Sequence, residues 1–217
     1  MKCLDRTRVP APPCLCRYQH GRDNWGAVDA SDKEEIQRHL DRLQGGLCAY
    51  CEGSLDVLGR HIEHLRQRSS FPKLTFEWEN LFASCTQEDS CGRYKDNHAE
   101  RFNPGDLLNP CDPGDDPDQF FRFRTDGTID VRAGLAAREQ HRARETLRVF
   151  NLDPDHGRLR SMRRRAVEAY QAVEPDICSA LLEFSDEERR AFIREEIERT
   201  RNEPFSTVIR HLFLDLL

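Results

Sequence analysis

Four of the nine cysteines form two short-range pairs that bracket a segment bearing histidine and glutamate, and this bracketing constrains the chain more than any other feature. Cys48-Ala-Tyr-Cys51 follows a diglycine, and Cys85 and Cys91 come after 33 intervening residues, with five residues between them. Two pairs on tight turns can aim four sulfurs at one ion, and four thiolates suit tetrahedral zinc. The second spacing is wider than the usual two to four residues. A redox Cys-x-x-Cys needs a thioredoxin-like βαβ context, which the flanking sequence lacks. Simple buried thiols are the remaining alternative. Cys3, Cys14, Cys16, Cys111 and Cys178 show no pairing logic and receive no role.

The metal reading fits the composition. An odd cysteine count argues against a fully paired disulfide framework, and clustered thiols in a reducing compartment are better read as ligands. A cytoplasmic location is expected, because the chain has no run of 18 apolar residues and its N-terminal stretch lacks the apolar core of a secretory signal. With 37% hydrophobic and 33% charged residues and a mean hydropathy of -0.77, the core is thin for 217 residues. A staple or a partner would help to hold it. The net charge of -6 disfavours a surface coated in base, yet residues 132–165 carry ten arginines against four acids. That local basic face is compatible with nucleic-acid binding without requiring it.

Along the chain, residues 1–30 read as an irregular arm. Ser31 to Gln44 reads as a helix, with a Ser31/Glu34 capping box, Ile36, Leu40 and Leu43 on one face, and Gly45-Gly46 as its stop. Asn103 to Asp118 reads as loop. Phe120–Arg124 and Thr128–Val131 around Asp126-Gly127 read as a β-hairpin. Helices dominate from about Gly134. One ends near Leu147, Phe150 and Leu152, another covers Arg158 to Val173 and is punctuated by Glu174-Pro175, and a third is capped by Ser185/Glu188 and runs to about Asn202. The closing stretch, 205–217, carries an apolar stripe of Val208, Leu212 and Leu216. The fold class expected is α+β, in three segments: an arm and helix at 1–45, a core with its following loop and hairpin at 46–132, and a helical region at 133–217.

Between the cysteine pairs stand Gly59-Arg-His-Ile-Glu-His64-Leu-Arg-Gln-Arg68 and Trp78-Glu-Asn80-Leu-Phe-Ala-Ser-Cys85, and after them Gly-Arg-Tyr-Lys95-Asp96-Asn97. An acid–His pair on a strand, a central Asn-Leu and a polar ligand with a lysine on the following helix resemble the HNH nuclease superfamily. The finer texture resembles one family within it, the nuclease subunit PtuB of Septu and retron-linked anti-phage systems. The resemblance implies a zinc-stapled ββα-metal core at about residues 46–100. It also implies an endonuclease working with an ATPase subunit of the PtuA type, in some systems beside a retron reverse transcriptase, with the C-terminal helices as the docking surface. DNA is the default substrate, and RNA, including tRNA, stays open.

The chemistry fits those residue types. A neutral imidazole can take a proton from water near neutral pH, and a divalent ion can stabilise charge on the phosphate and on the leaving oxygen. Neighbouring residues of one strand face opposite ways, so a single strand can supply both groups. His64 is the expected base and Glu63 the expected ligand of a catalytic Mg²⁺ or Mn²⁺. The superfamily's second ligand is a His or Asn soon after the last cysteine. Gly92 and Arg93 stand in those places, so Asn97 is the choice and Asp96 the alternative. Asn80 is expected to brace the loop positioning His64. Lys95, Arg66 and Arg68 are expected to contact nucleic acid. His61, sharing a strand face with Glu63, is an extra ligand, a phosphate contact or a supporting group. Trp78, Leu81 and Phe82 read as a small core. The competing reading is a non-catalytic zinc module that binds nucleic acid or protein.

Overall fold

The computed structural model describes residues 1–173, 177, 181 and 183–214. They divide into two compact units, one of residues 1–120 with 133–152 and the other of 121–132 with 153–214, so the expected segments 46–132 and 133–217 do not coincide with them.

The first unit is built around a short hairpin. Helix α1, Ala30–Gln44, buries Ile36 and Leu40 against strands β1, His61–His64, and β2, Leu81–Ser84. It begins one residue before the expected Ser31 cap, with Asp29 flanking it, and the Ser31/Glu34 box does not form. Its end is as the glycines dictate: Gly45 and Gly46 have φ of 67° and 72°, which only glycine adopts freely. The strands pair antiparallel, with His61 opposite Ser84 and His64 opposite Leu81. A two-stranded hairpin is marginal alone in water. Here the last residue of α1 substitutes for a third strand: the Gln44 amide donates to Ala83 O at 2.9 Å and accepts from Ala83 N at 2.8 Å.

A single turn of helix, α2 at Leu55–Leu58, precedes β1, and a longer one, α3 at Cys91–Asn97, follows β2. After a stretch of short turns come α4, Pro117–Phe120, and α5, Ala137–Val149, which packs on α3 and α4. Phe150 at the end of α5 stacks on Tyr50 with ring centres 4.1 Å apart, and its carbonyl accepts from Cys91 N at 2.7 Å. The apolar ground between these elements is filled by Tyr50, Leu81, Phe82, Phe150 and Leu107.

In the second unit, β3, Phe121–Phe123, pairs with β4, Ile129–Val131. Gly127, φ 90°, makes the turn, and a Cβ there would lie 2.8 Å from the Arg160 carbonyl carbon. Helix α6 is Arg158–Val173, α7 is Asp186–Thr200, and α8 is Ser206–Leu214, which packs on α6, α7 and β3. Ser185 and Glu188 form the expected capping box on α7. The buried face of α8 is Val208, Ile209 and Phe213, with Phe205 just before it; Leu212 is only half-buried, because Phe205, Ile209 and Phe213 recur every four residues and set the stripe. Glu174, Pro175, Cys178 and Leu216 lie outside the described residues.

The arginine run 132–165 is largely consumed by ion pairs. Arg142 makes a two-pronged pair with Asp115, Arg148 pairs with Glu145, and Arg160 and Arg163 share Asp153. No helix among the described residues is long and apolar enough to cross a membrane.

Candidate active site and cysteine cluster

Cys48, Cys51, Cys85 and Cys91 converge in the first unit, all buried, with their sulfurs within 4.8 Å of one another. Tetrahedral zinc–thiolate bonds of about 2.3 Å would place sulfurs about 3.8 Å apart, within that limit, so the donor set fits one metal ion. Backbone N–H groups already point at two sulfurs, from Gly53 to Cys51 and from Cys85 to Cys48, each at 3.4 Å. Cys91 takes φ 62°, which turns the chain out of the loop and into α3.

The same short helix reaches the hairpin. Glu63 on β1 is 2% exposed, and the Lys95 ammonium lies 2.8 Å from its Oε1. That is an ion pair by distance and charge, not an aligned hydrogen bond, since Oε1 accepts none. Lys95, expected at a substrate phosphate, is instead buried, and it donates also to Asp96 Oδ1 at 2.6 Å and to His64 O at 3.2 Å. Its long stem lets a helix residue bring charge to a neighbouring strand. Gly92 is where α3 touches the carboxylate: a Cβ there would sit 2.6 Å from Glu63 Cδ. Beneath lies Tyr50, fully buried, its hydroxyl without a protein partner. Burial, then the Glu63 charge, push its ionisation well above the ordinary range.

His64 ends β1. Its Nε2 lies 3.1 Å from Thr75 O. A carbonyl can only accept, so Nε2 carries the proton and the neutral ring keeps a lone pair on Nδ1. Burial pushes this imidazole down to about 4, partly offset by the carbonyl bond. Trp25 stands edge-on to the ring with centres 4.5 Å apart. Asn80 holds the intervening loop: it accepts from Arg66 N at 2.7 Å and donates to Arg66 O at 3.1 Å and Leu74 O at 3.0 Å, next to Thr75.

These groups line one open cleft of about 960 Å³, whose walls include His61, Glu63, His64, Arg68, Asp96 and Asn97. Asp96 accepts from Lys95 and from Gln67, and the exposed Asn97 donates to Glu88 at 3.0 Å. Arg66 is half-buried and not part of the cleft wall. Trp78 and Phe82 sandwich the Arg6 guanidinium, each ring centre 4.6 Å away, so both serve the core with Leu81.

The opposite wall is one that the sequence did not reveal. Residues 20–25, assigned to an irregular arm, line the cleft with Gln67 and Arg93. An isolated tryptophan among polar residues, Asn24-Trp25-Gly26, was the available signal.

No protein-family model matches the chain. A candidate HNH endonuclease of retron Vc95, from Vibrio cholerae serotype O1 biovar El Tor, is 29% identical over 134 residues, 58% of this chain and 62% of that protein. Septu protein PtuB from Bacillus mycoides strain KBAB4 is 28% identical over 142 residues, 52% of this chain and 46% of that protein. Septu protein PtuB from Bacillus thuringiensis is 30% identical over 94 residues, 42% and 32% of the two chains. The matches thus span less than two thirds of each relative. They bear out the resemblance, read from the motifs, to HNH nucleases of defence systems.

Proposed function

We propose that this chain is a divalent-metal-dependent HNH endonuclease that hydrolyses phosphodiester bonds in nucleic acid. Its ββα-metal core would be β1, β2 and α3, stapled by zinc on Cys48, Cys51, Cys85 and Cys91. The observation that carries the reading is the Glu63–His64 dipeptide: a buried carboxylate and a neutral imidazole of fixed tautomer, side by side on one strand and both bordering one cleft.

His64 acts as the general base. Its Nδ1 takes the proton of the attacking water while Thr75 O holds the ring in place. Trp25 and the burial around it keep the ring neutral in mildly acidic solution as well. When bound at Glu63, Mg²⁺ or Mn²⁺ supplies charge stabilisation to the phosphate and the departing 3′ oxygen. Lys95 fixes one oxygen of Glu63 from behind. The α3 side chains favoured from sequence, Asn97 or else Asp96, would join that site only by leaving Glu88, or Lys95 and Gln67. Arg68, on the cleft wall, meets a substrate phosphate, and Asn80 positions the loop that carries Thr75.

The likeness to retron and Septu proteins supports an anti-phage effector role. In that role the chain acts beside an ATPase subunit of the PtuA type, and in retron systems beside a reverse transcriptase, in the cytoplasm. The substrate is DNA by default, with structured RNA such as tRNA as the alternative. The test is metal-dependent cleavage of plasmid and of total RNA by the chain co-purified with its genomic neighbours, with and without ATP. Cleavage that disappears in His64→Ala is expected. A His64→Ala protein cutting like wild type removes the catalytic assignment, and a wild type that never cuts under any of these conditions favours a zinc-dependent binding module.

A further inference from the structure

The two oxygens of Glu63 have different neighbours. Oε1 faces the Lys95 ammonium at 2.8 Å, whereas Oε2 lies 3.3 Å from His61 Nε2. At Gly92, α3 presents bare backbone to that same Oε2, because an added Cβ would collide with it. Further along that helix, Asp96 and Asn97 are held by other partners. The side chain that does meet the free side of the carboxylate comes from β1 itself, two residues before Glu63 and on the same strand face.

We infer that His61 Nε2 and Glu63 Oε2 are together the protein's ligands to the catalytic cation, and that this pair selects a transition-metal ion such as Mn²⁺ over Mg²⁺. The inference rests on the nuclease reading for Glu63 as the cation-binding carboxylate. Two ligands about 2.1 Å from one ion and at right angles to each other are about 3.0 Å apart; the observed 3.3 Å needs only a small adjustment. His61 is 20% exposed and on the cleft wall, so an ion held there keeps open positions for water and phosphate. The other ring nitrogen, His61 Nδ1, is buried without a hydrogen bond from the protein, so no second protein partner fixes the ring in its present pairing. Imidazole nitrogen suits Mn²⁺ and the later divalent metals better than Mg²⁺, whose preference is for oxygen. Glu63 and Asp96 are met by Lys95, and Arg22, Asp23, Arg68 and Arg93 line the same cleft.

A histidine that only orients the carboxylate would also weaken binding when lost, by about 10- to 100-fold, so affinity alone does not separate the two roles. Electron spin echo modulation of Mn²⁺ added to the full chain, purified without chelator, does. Wild type is expected to show the nitrogen modulation of a coordinated imidazole, and ¹⁵N-histidine labelling is expected to change it, a readout that needs no variant to fold. His61→Gln is expected to abolish the modulation and to narrow the Mn²⁺-over-Mg²⁺ preference in competition titrations, and Asn97→Ala to leave both unaltered. Absence of nitrogen modulation in wild type, its persistence in His61→Gln, or its loss in Asn97→Ala would overturn the inference. Glu63→Gln separates the levels: unchanged Mn²⁺ binding there overturns the nuclease site itself, whereas binding lost in Glu63→Gln but intact in His61→Gln overturns only the role of His61.

Discussion

In the first unit two four-residue strands and a seven-residue helix lie beside four cysteines, whereas in the second, helices of 16, 15 and 9 residues pack together, the first and last of them through apolar stripes. Their buried polar groups differ in the same way. Tyr170, Glu196 and Arg199 of the second unit close on themselves, Tyr170 donating to Glu196 at 2.6 Å and Arg199 pairing with the same carboxylate. In the first unit His61, on the cleft wall, and Tyr50, in the core, each keep a buried atom without a hydrogen bond. A region that closes its polar groups is built for stability. One that leaves them open, beside four cysteines that could hold a metal ion, is arranged as a binding site would be.

Metal loss is the largest expected break in that contrast, since structural zinc in small domains contributes roughly 10–16 kcal/mol at neutral pH. Stripping the metal, or the double change Cys48→Ser with Cys91→Ser, is expected to abolish hydrogen-exchange protection in β1, β2 and α3 while α6, α7 and α8 keep theirs. Equal loss in both units would show that they do not differ in this dependence. Next in size, His64→Ala is expected to lower cleavage by about 10²- to 10⁴-fold, more than the about 1–3 kcal/mol of stability lost with the Thr75 bond explains, read by plasmid or RNA cleavage at a temperature where calorimetry shows the variant folded.

Asn80→Ala comes third. It leaves Arg66 N and two carbonyls without their partner, at a cost of about 1–3 kcal/mol in stability, measurable by denaturant titration, with activity falling as the Thr75 carbonyl loses its place. The smallest effect is a pH limb confined to the second unit. The Arg199 bond, with help from Tyr170, holds Glu196 below the ordinary carboxylate value of 4.5. A folded-state value below the unfolded one stabilises above the unfolded pKa and is lost as pH falls. Protection of α6 and α7 is therefore expected to hold from about pH 5 upward and to fade in acid, and Glu196→Gln to flatten that limb while leaving the first unit's acid response, set by thiolate protonation, unchanged.

Periodic and capped elements were legible in the sequence. Arg158–Val173 and the Ser185 cap stand where the pattern puts them, and the Asp126-Gly127 hairpin is right to within a residue, because glycine turns and helix caps are local. So was the convergence of Cys48, Cys51, Cys85 and Cys91, which spacing alone suggests. What depends on contacts distant in sequence was not legible. Trp25 meets His64 across 39 residues of chain, and nothing local marks the arm as a cleft wall. Lys95 is buried against Glu63, though a lysine beside two polar residues reads as exposed. The basic balance of residues 132–165 suggested a surface for nucleic acid, but much of it answers acids such as Asp115, which lie outside that window.

Helix α3 starts at a cysteine of the cluster and, one turn later, carries the lysine that steadies Glu63. Were a metal held by the cluster, its loss, or oxidation of Cys91, would therefore also loosen Lys95 and the glycine contact on the carboxylate. In a nuclease this would be a fail-safe arrangement, in which damage to the staple also disorders the carboxylate site.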